Sequence, residues 1–286
     1  MPPMPDTKRP LLSSSTIKLT QELEVLDEQG RASFISIPAE RPLTVYVDKR
    51  ELVTLMTLGA SPEMLVLGYL RNQRLVRNLD EIMSVQVDWS VDAAAVTTRN
   101  GIADIVERTA KKVVTTGCGQ GSVYGGLMDE VDTLVLPEHA SLRQSVLYRI
   151  VDTIRTQQSV YKQAGSVHGC ALFSADGSLL YFIEDVGRHN AVDTIAGLMW
   201  LDNMEGGDKI FYTTGRLTSE MVIKGAQMGI PFLLSRSGTT EMGHMVAKKL
   251  DMSLLSRCSG KHFLLLSAKR RLIYEPQLLN ATLKTA

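Results

Sequence analysis

Cys118 has the setting that most invites chemistry. It stands in Thr115-Thr116-Gly117-Cys118-Gly119-Gln120-Gly121-Ser122, after the β-branched pair Val113-Val114 and shortly before Gly125-Gly126. Glycine has no Cβ, so backbone on both sides of the thiol can take positive φ and approach another molecule closely. That pattern predicts a thiol at the tip of a mobile loop. The thiolate is the form that attacks sulfur or carbon, and nearby positive charge favours it; Lys111, Lys112, Arg188 and Arg216 are the candidate sources. The competing reading is a small buried hydrophobe, the usual fate of a free cysteine, but no local apolar strand is there to hold it. Cys170, in the apolar run Gly169-Cys170-Ala171-Leu172-Phe173, reads as core.

A second set of residues is suited to anions. Arg257-Cys258-Ser259-Gly260-Lys261-His262 mixes glycine, hydroxyl and basic or imidazole groups in one turn. Such a turn either binds an anion or is simply solvated. Glu184-Asp185-Val186-Gly187-Arg188-His189-Asn190 falls where a strand gives way to a helix, and ligands of open α/β sheets gather at strand carboxyl ends beside helix N-termini. There Asp185 is placed to accept from a base or ribose edge, Arg188 to pair with phosphate and His189 to exchange a proton. The alternative is a salt-bridged helix cap. Thr213-Thr214-Gly215-Arg216 and Ser237-Gly238-Thr239-Thr240-Glu241 repeat the arrangement twice more. His168 is either ligand-facing or a satisfied strand residue.

The elements that position these groups follow from periodicity. Residues 1–15, rich in proline and serine, are expected to form a disordered tail without a secretory h-region. Alternation over 17–26 and 32–37 around Asp27-Glu28-Gln29-Gly30 predicts a hairpin, and 43–47 with 51–58 a second strand pair. Ser61-Pro62-Glu63 announces a helix. Strands follow at 82–87 and 93–98. Beyond Ser141, one long helical pattern runs through Val146, Ile150, Ile154 and Val160 to about Gly165. Strands and helices then alternate to the end, the signature of a layered α/β sheet. The expected organisation is a mostly β domain with one helix over 16–116, a cysteine loop and connection over 117–140, and an α/β domain over 141–286.

Composition narrows the function. The chain has 286 residues, 44% hydrophobic and 22% charged, with zero formal net charge, so neither nucleic acid nor membrane insertion is indicated. Three cysteines without CxxC spacing argue against a disulfide scaffold or structural zinc and fit a reducing, cytoplasmic setting. A phosphate-loop motif and a zinc-deaminase motif are both missing from the sequence. A metal-free hydrolase or deaminase-like enzyme is disfavoured for want of a second nucleophile.

Together these segments resemble the formate dehydrogenase accessory sulfurtransferase family, FdhD. The resemblance rests on Glu184-Asp185-Val186-Gly187-Arg188-His189-Asn190-Ala191-Val192-Asp193, on Thr214-Gly215-Arg216 through Ser219-Glu220-Met221-Val222-Ile223-Lys224, and on His168, Gly229-Ile230-Pro231 and Thr116-Gly117-Cys118-Gly119. It implies a carboxy-terminal half similar to cytidine deaminases without their zinc, and a homodimer. It further implies transfer of persulfide sulfur from a cysteine desulfurase to molybdenum bis(molybdopterin guanine dinucleotide) for apo formate dehydrogenase. By position, Cys118 would hold the persulfide. Arg257, Cys258, Ser259, Gly260, Lys261 and His262 would form the cofactor-binding turn, a site that a GDP-like nucleotide can occupy, with Asp185, Arg188, His189 and Arg216 beside it. Many members carry Cys-x-x-Cys in the loop, whereas here Gly121 stands at the second position. A loop disulfide is therefore excluded, and a non-catalytic cofactor chaperone is the alternative reading.

Overall fold

The computed structural model describes residues 9–102 and 131–278. In chain order its elements are β1 (Leu11–Leu12), β2 (Thr20–Leu26), β3 (Ala32–Pro38), β4 (Arg41–Val47), β5 (Arg50–Thr57), α1 (Pro62–Asn72), β6 (Ile82–Asp88) and β7 (Ala93–Thr98). Then come β8 (Leu142–Arg143), α2 (Gln144–Thr156), α3 (Val160–Ala164), β9 (His168–Phe173), β10 (Leu179–Asp185), α4 (Arg188–Leu201), β11 (Ile210–Thr213) and α5 (Ser219–Gln227). The series closes with β12 (Phe232–Ser235), α6 (Glu241–Lys249), β13 (Ser253–Ser259), β14 (His262–Leu265) and β15 (Leu272–Ile273). This is the α/β class expected from the alternation.

Local chemistry explains most of the boundaries. The β2–β3 turn is held by Asp27, whose Oδ1 accepts from the Gln29 and Arg31 amides, with Gly30 at φ +76°. Asp48 and Lys49 both take positive φ in the tight β4–β5 turn. Pro62 opens α1 where its missing N–H costs nothing. Two expectations are corrected. Leu11–Leu12 is not tail but a strand beside β6, with the Ser13 hydroxyl donating to Glu63. The long helical pattern to Gly165 is two helices. Gln157 turns to ψ 133°, and Ser159 caps α3 by accepting from the Lys162 amide. An apolar period continues across a break when both segments face a core.

The described chain groups into two compact units that interleave along the sequence, unlike the sequential division expected. One holds 9–102, Ser159–His168 and Ile183–Met204; the other holds 131–158, Gly169–Phe182 and 205–278.

In the first unit a five-stranded sheet, ordered β1-β6-β7-β4-β5, buries Leu43, Val45, Val85 and Val96 against Leu65, Val66 and Leu70. Helix α4 crosses α1 at glycines. A Cβ on Gly68 would lie 1.6 Å from the Asp193 carbonyl oxygen, and one on Gly197 would lie 2.0 Å from that of Met64. The β2–β3 hairpin forms its own two-stranded sheet.

The second unit is built on a six-stranded sheet ordered β10-β9-β11-β12-β13-β14. Strands β11, β12 and β13 are parallel and are linked by α5 and α6, while β9 and β14 run antiparallel to their neighbours. Inward residues Ala171, Phe173, Ile210, Tyr212, Phe232, Leu234 and Leu255 pack on Val146, Leu147 and Ile150 of α2. Helix α5 lies so close to β12 that Gly225 leaves no room for a methyl against Leu233. No helix of the described residues is long and apolar enough to cross a membrane.

Candidate functional site

Parallel β11, β12 and β13 bring three strand ends to one edge of the second unit, with an arginine near each: Arg216 and Arg236 past β11 and β12, and Arg257 among the last residues of β13. Arg216, Arg236 and Arg257 are all exposed. The ladder extends past the strands: the Arg236 amide donates to the Thr213 carbonyl at 3.1 Å and the Arg257 amide to the Ser237 carbonyl at 2.8 Å. Adjacent strands lie ~4.8 Å apart; the register that pairs Leu234 with Leu255 sets Arg236 level with Arg257, while Arg216 stands in the loop past β11. Beyond β13 the hairpin tip adds Lys261 and His262, also exposed. The N-termini of α5 and α6 open on the same edge, where the helix dipole favours negative charge. The charge and dipoles gathered on this edge are suited to an anion.

Small polar side chains hold the edge rigid. The Thr213 hydroxyl accepts from the Gly215 amide at 3.0 Å and from the Cys170 thiol at 3.3 Å. Leu217 and Thr239 form a bridge between the two junctions, with the Leu217 amide donating to Gly238 and the Thr240 amide to Leu217. Gly243 presses on the Leu217 carbonyl, where a Cβ would come within 2.5 Å. Inside α5 the buried Lys224 ammonium lies 3.6 Å from the buried Glu220 carboxylate, which offsets the one acid in that helix's first turn. The buried hydroxyls of Thr218 and Thr239 find no hydrogen-bond partner among the described residues. Buried polar atoms of that kind usually mark a place where a ligand or solvent completes the network.

The predicted turn is thus brought to the edge with Arg216, with one correction. Arg257, Ser259, Gly260, Lys261 and His262 are exposed, but Cys258 is only 1% exposed and packs in the core beside Leu255. Burial pushes its thiol up to about 12. The cause is a bulge: Arg257 takes φ +54° and the β13–β14 register shifts between Ser256 and Ser259. Arg236 went unrecognised in the sequence, although the recurrence of Arg216, Arg236 and Arg257 at the carboxyl ends of three successive strands carries the signal.

Asp185, Arg188 and His189 belong to the first unit, and all three are buried. Asp185 is 3% exposed and its carboxylate is fully engaged. Oδ2 accepts from the Thr57 hydroxyl at 2.5 Å and the Leu58 amide at 3.0 Å; Oδ1 accepts from the Gly187 amide at 3.0 Å and Asn190 Nδ2 at 2.8 Å. Asn190 also donates to the Met56 carbonyl. Burial raises the Asp185 carboxyl above its ordinary range, while these four bonds pull it down. Asp185 therefore clamps the end of β5 to the start of α4 and has no lone pair left for a base. Arg188 and His189 are 5% and 4% exposed. Beside them Glu184 accepts from the Val160 and Tyr161 amides at the start of α3.

Cys118, Lys111 and Lys112 lie outside the described residues. Among the described residues, no three His, Cys, Asp or Glu side chains are grouped to hold a metal ion. Cys170 is fully buried, as its apolar strand requires.

Comparison with known proteins gives consistent matches. Residues 38–273 match the model of the FdhD/NarQ family. The chain is 29% identical over 227 residues to the sulfur carrier protein FdhD of Listeria monocytogenes serotype 4b, covering 79% of this chain and 87% of the relative. It is 27% identical over 240 residues to the sulfur carrier protein FdhD of Staphylococcus aureus MRSA252, covering 83% and 89%. A crystal structure from Desulfotalea psychrophila, assigned as a formate dehydrogenase accessory protein, superposes with a TM-score of 0.73 at 24% identity over 89% of this chain and 98% of that one. At that identity the superposition speaks for the fold.

Proposed function

The chain belongs to the FdhD/NarQ family, and from that premise we propose that it is a sulfur carrier in formate dehydrogenase maturation, relaying sulfane sulfur through Cys118. The cargo is the molybdenum bis(molybdopterin guanine dinucleotide) cofactor, held by its phosphates on the edge formed by Arg216, Arg236, Arg257, Lys261 and His262. The observation that carries the reading is the convergence of three exposed arginines at adjacent parallel strand ends, in a chain whose relatives are named sulfur carriers.

The chemistry runs through one thiol. The Cys118 thiolate attacks the terminal sulfur of a desulfurase persulfide, forming a Cys118 persulfide while the desulfurase cysteine leaves as thiolate. The carried sulfur is formally neutral. Its release as sulfide therefore draws two electrons from a reduced metal centre and returns Cys118 as thiolate. With Gly121 in place of a second loop thiol, the persulfide has no partner within the loop and its sulfur passes to an external acceptor. Cys170 and Cys258, both buried, are poor rivals for the incoming sulfur. The partners in this scheme are a cysteine desulfurase and apo formate dehydrogenase, and the carrier acts in the cytoplasm as a homodimer.

Intact-protein mass spectrometry after incubation with a desulfurase and cysteine tests the relay. Wild type is expected to gain sulfur and Cys118→Ser none; an unmodified wild type, or equal labelling of the variant, overturns it. If Cys118→Ala still restores formate dehydrogenase activity in cells lacking the native carrier, the protein acts as a cofactor chaperone without sulfur transfer.

A further inference from the structure

Where α4 ends, the first unit holds a cavity of about 520 Å³, within the size range of small-molecule sites. Its apolar floor is Trp200, Leu79 and Leu201. Trp200 is half-buried, and the Arg71 guanidinium stands 5.9 Å from the centroid of its ring while donating to the Ala196 carbonyl at 3.2 Å. The indole is thereby held in place. Leu79 opens a single 3₁₀ turn, Leu79–Glu81. That turn is tied by the Asn78 amide on the Glu81 carboxylate at 2.7 Å and by Arg99 on the Asp80 carbonyl at 3.2 Å.

Two opposite charges stand over this floor. Arg9 and Asp80 are both exposed and both line the cavity, yet they are not ion-paired to one another. Opposite charges on one cavity that do not pair leave room for a molecule carrying both signs. The end of α4 adds to the negative side. The final carbonyls of a helix attract a cation, but the last turn of α4 has no basic side chain of its own. Arg71 reaches only Ala196, more than a turn earlier. Asn203 turns the chain at φ +49°, and its amide and that of Asn78 complete the rim.

We propose that this cavity binds a free α-amino acid with an apolar side chain. Its carboxylate lies on Arg9, which can meet it with two parallel N–H donors. Its ammonium lies between Asp80 and the end of α4, and its side chain is buried on Trp200 and Leu79. Asp80 and the helix end repel an anion that brings no ammonium with it, so phosphate compounds are excluded. The site is independent of the sulfur-carrier reading and shares no residue with it.

Fluorescence titration of the full chain tests it. Trp89 and Trp200 are the two tryptophans, so Trp89→Phe leaves Trp200 as sole reporter. Calorimetry on the unaltered chain measures the same affinities without that substitution. L-Leucine is expected to change the Trp200 emission saturably, and inorganic phosphate to leave it unchanged. N-acetyl-leucine lacks the ammonium and leucinamide the carboxylate; each is expected to bind about ten- to a hundredfold more weakly, the worth of one charge-assisted hydrogen bond. Arg9 and Asp80 are exposed, so Arg9→Ala and Asp80→Asn keep the fold. Arg9→Ala should erase the advantage of leucine over leucinamide, and Asp80→Asn its advantage over N-acetyl-leucine. No leucine binding up to ~10 mM by either measurement, or binding that both variants leave intact, overturns the site.

Discussion

The Ser235 hydroxyl donates to the Gly215 carbonyl at 2.6 Å while accepting from the Ser237 amide at 2.9 Å. One buried hydroxyl thereby couples the loops that carry Arg216 and Arg236. Ser235→Ala leaves that carbonyl and that amide unpaired in the interior, at a cost of about 1–3 kcal/mol each where no water replaces the hydroxyl. The expected outcome is a lower urea midpoint together with weaker GDP binding. A variant with full stability and full affinity would show that the hydroxyl does not order the edge.

The α1–α4 crossing tolerates no side chain at Gly68. A methyl there overlaps the Asp193 carbonyl, which is backbone and cannot rotate away, so the helices must separate. Separation also strains the 2.7 Å bond from Asn72 Nδ2 to Asp193. Gly68→Ala is expected to cost about 3 kcal/mol, the upper end for overpacking. Urea unfolding checks this, and Gly101→Ala, in open space but at positive φ, serves as a comparison with strain and no clash.

Glu184 gives the first unit a pH dependence of known sign. Burial raises its carboxyl above the ordinary 4.5, against the opposing pull of the Tyr161 and Val160 amides. Between 4.5 and the raised value the folded chain binds more proton than the unfolded chain, so stability falls as pH rises through that window. Asp185 acts in the same sense from its ordinary 3.8 upward. Glu184→Gln removes one of the two contributions, and its stability should fall less steeply over the same interval. Denaturant titrations at closely spaced pH check the slope; identical slopes would remove Glu184 from the account.

Thiol reactivity should sort the cysteines. Cys170 is fully buried and out of a reagent's reach, and the Cys258 thiol is buried and pushed up to about 12, so neither is open to alkylation in the folded chain. Native alkylation at pH 8 should label the Cys170→Ser/Cys258→Ser double variant to the same extent as wild type. Unfolded wild type should take up two labels more. Native labelling at Cys258 would mean that the β13 bulge opens in solution.

Much of this molecule is written in short-range signals. Asp27-Glu28-Gln29-Gly30 specifies its turn, Ser61-Pro62 its helix start, and the alternation after Val167 its α/β layering, because turns, caps and periodicity depend on residues a few positions apart. The basic character of Arg257 to His262 and of Arg216 was legible for the same reason. Tertiary structure alone decided which of those groups face outward. Cys258 sits between two exposed residues in sequence, yet the bulge at Arg257 turns its sulfur into the core. Asp185 reads as a ligand beside Arg188, yet its lone pairs are taken by Thr57 and Leu58, 128 and 127 positions away. Likewise, only parallel pairing of β11, β12 and β13 sets Arg236 between Arg216 and Arg257. Partners supplied from distant chain leave no local periodicity, and whether a polar group is spent on the fold or left for a ligand is settled by those partners.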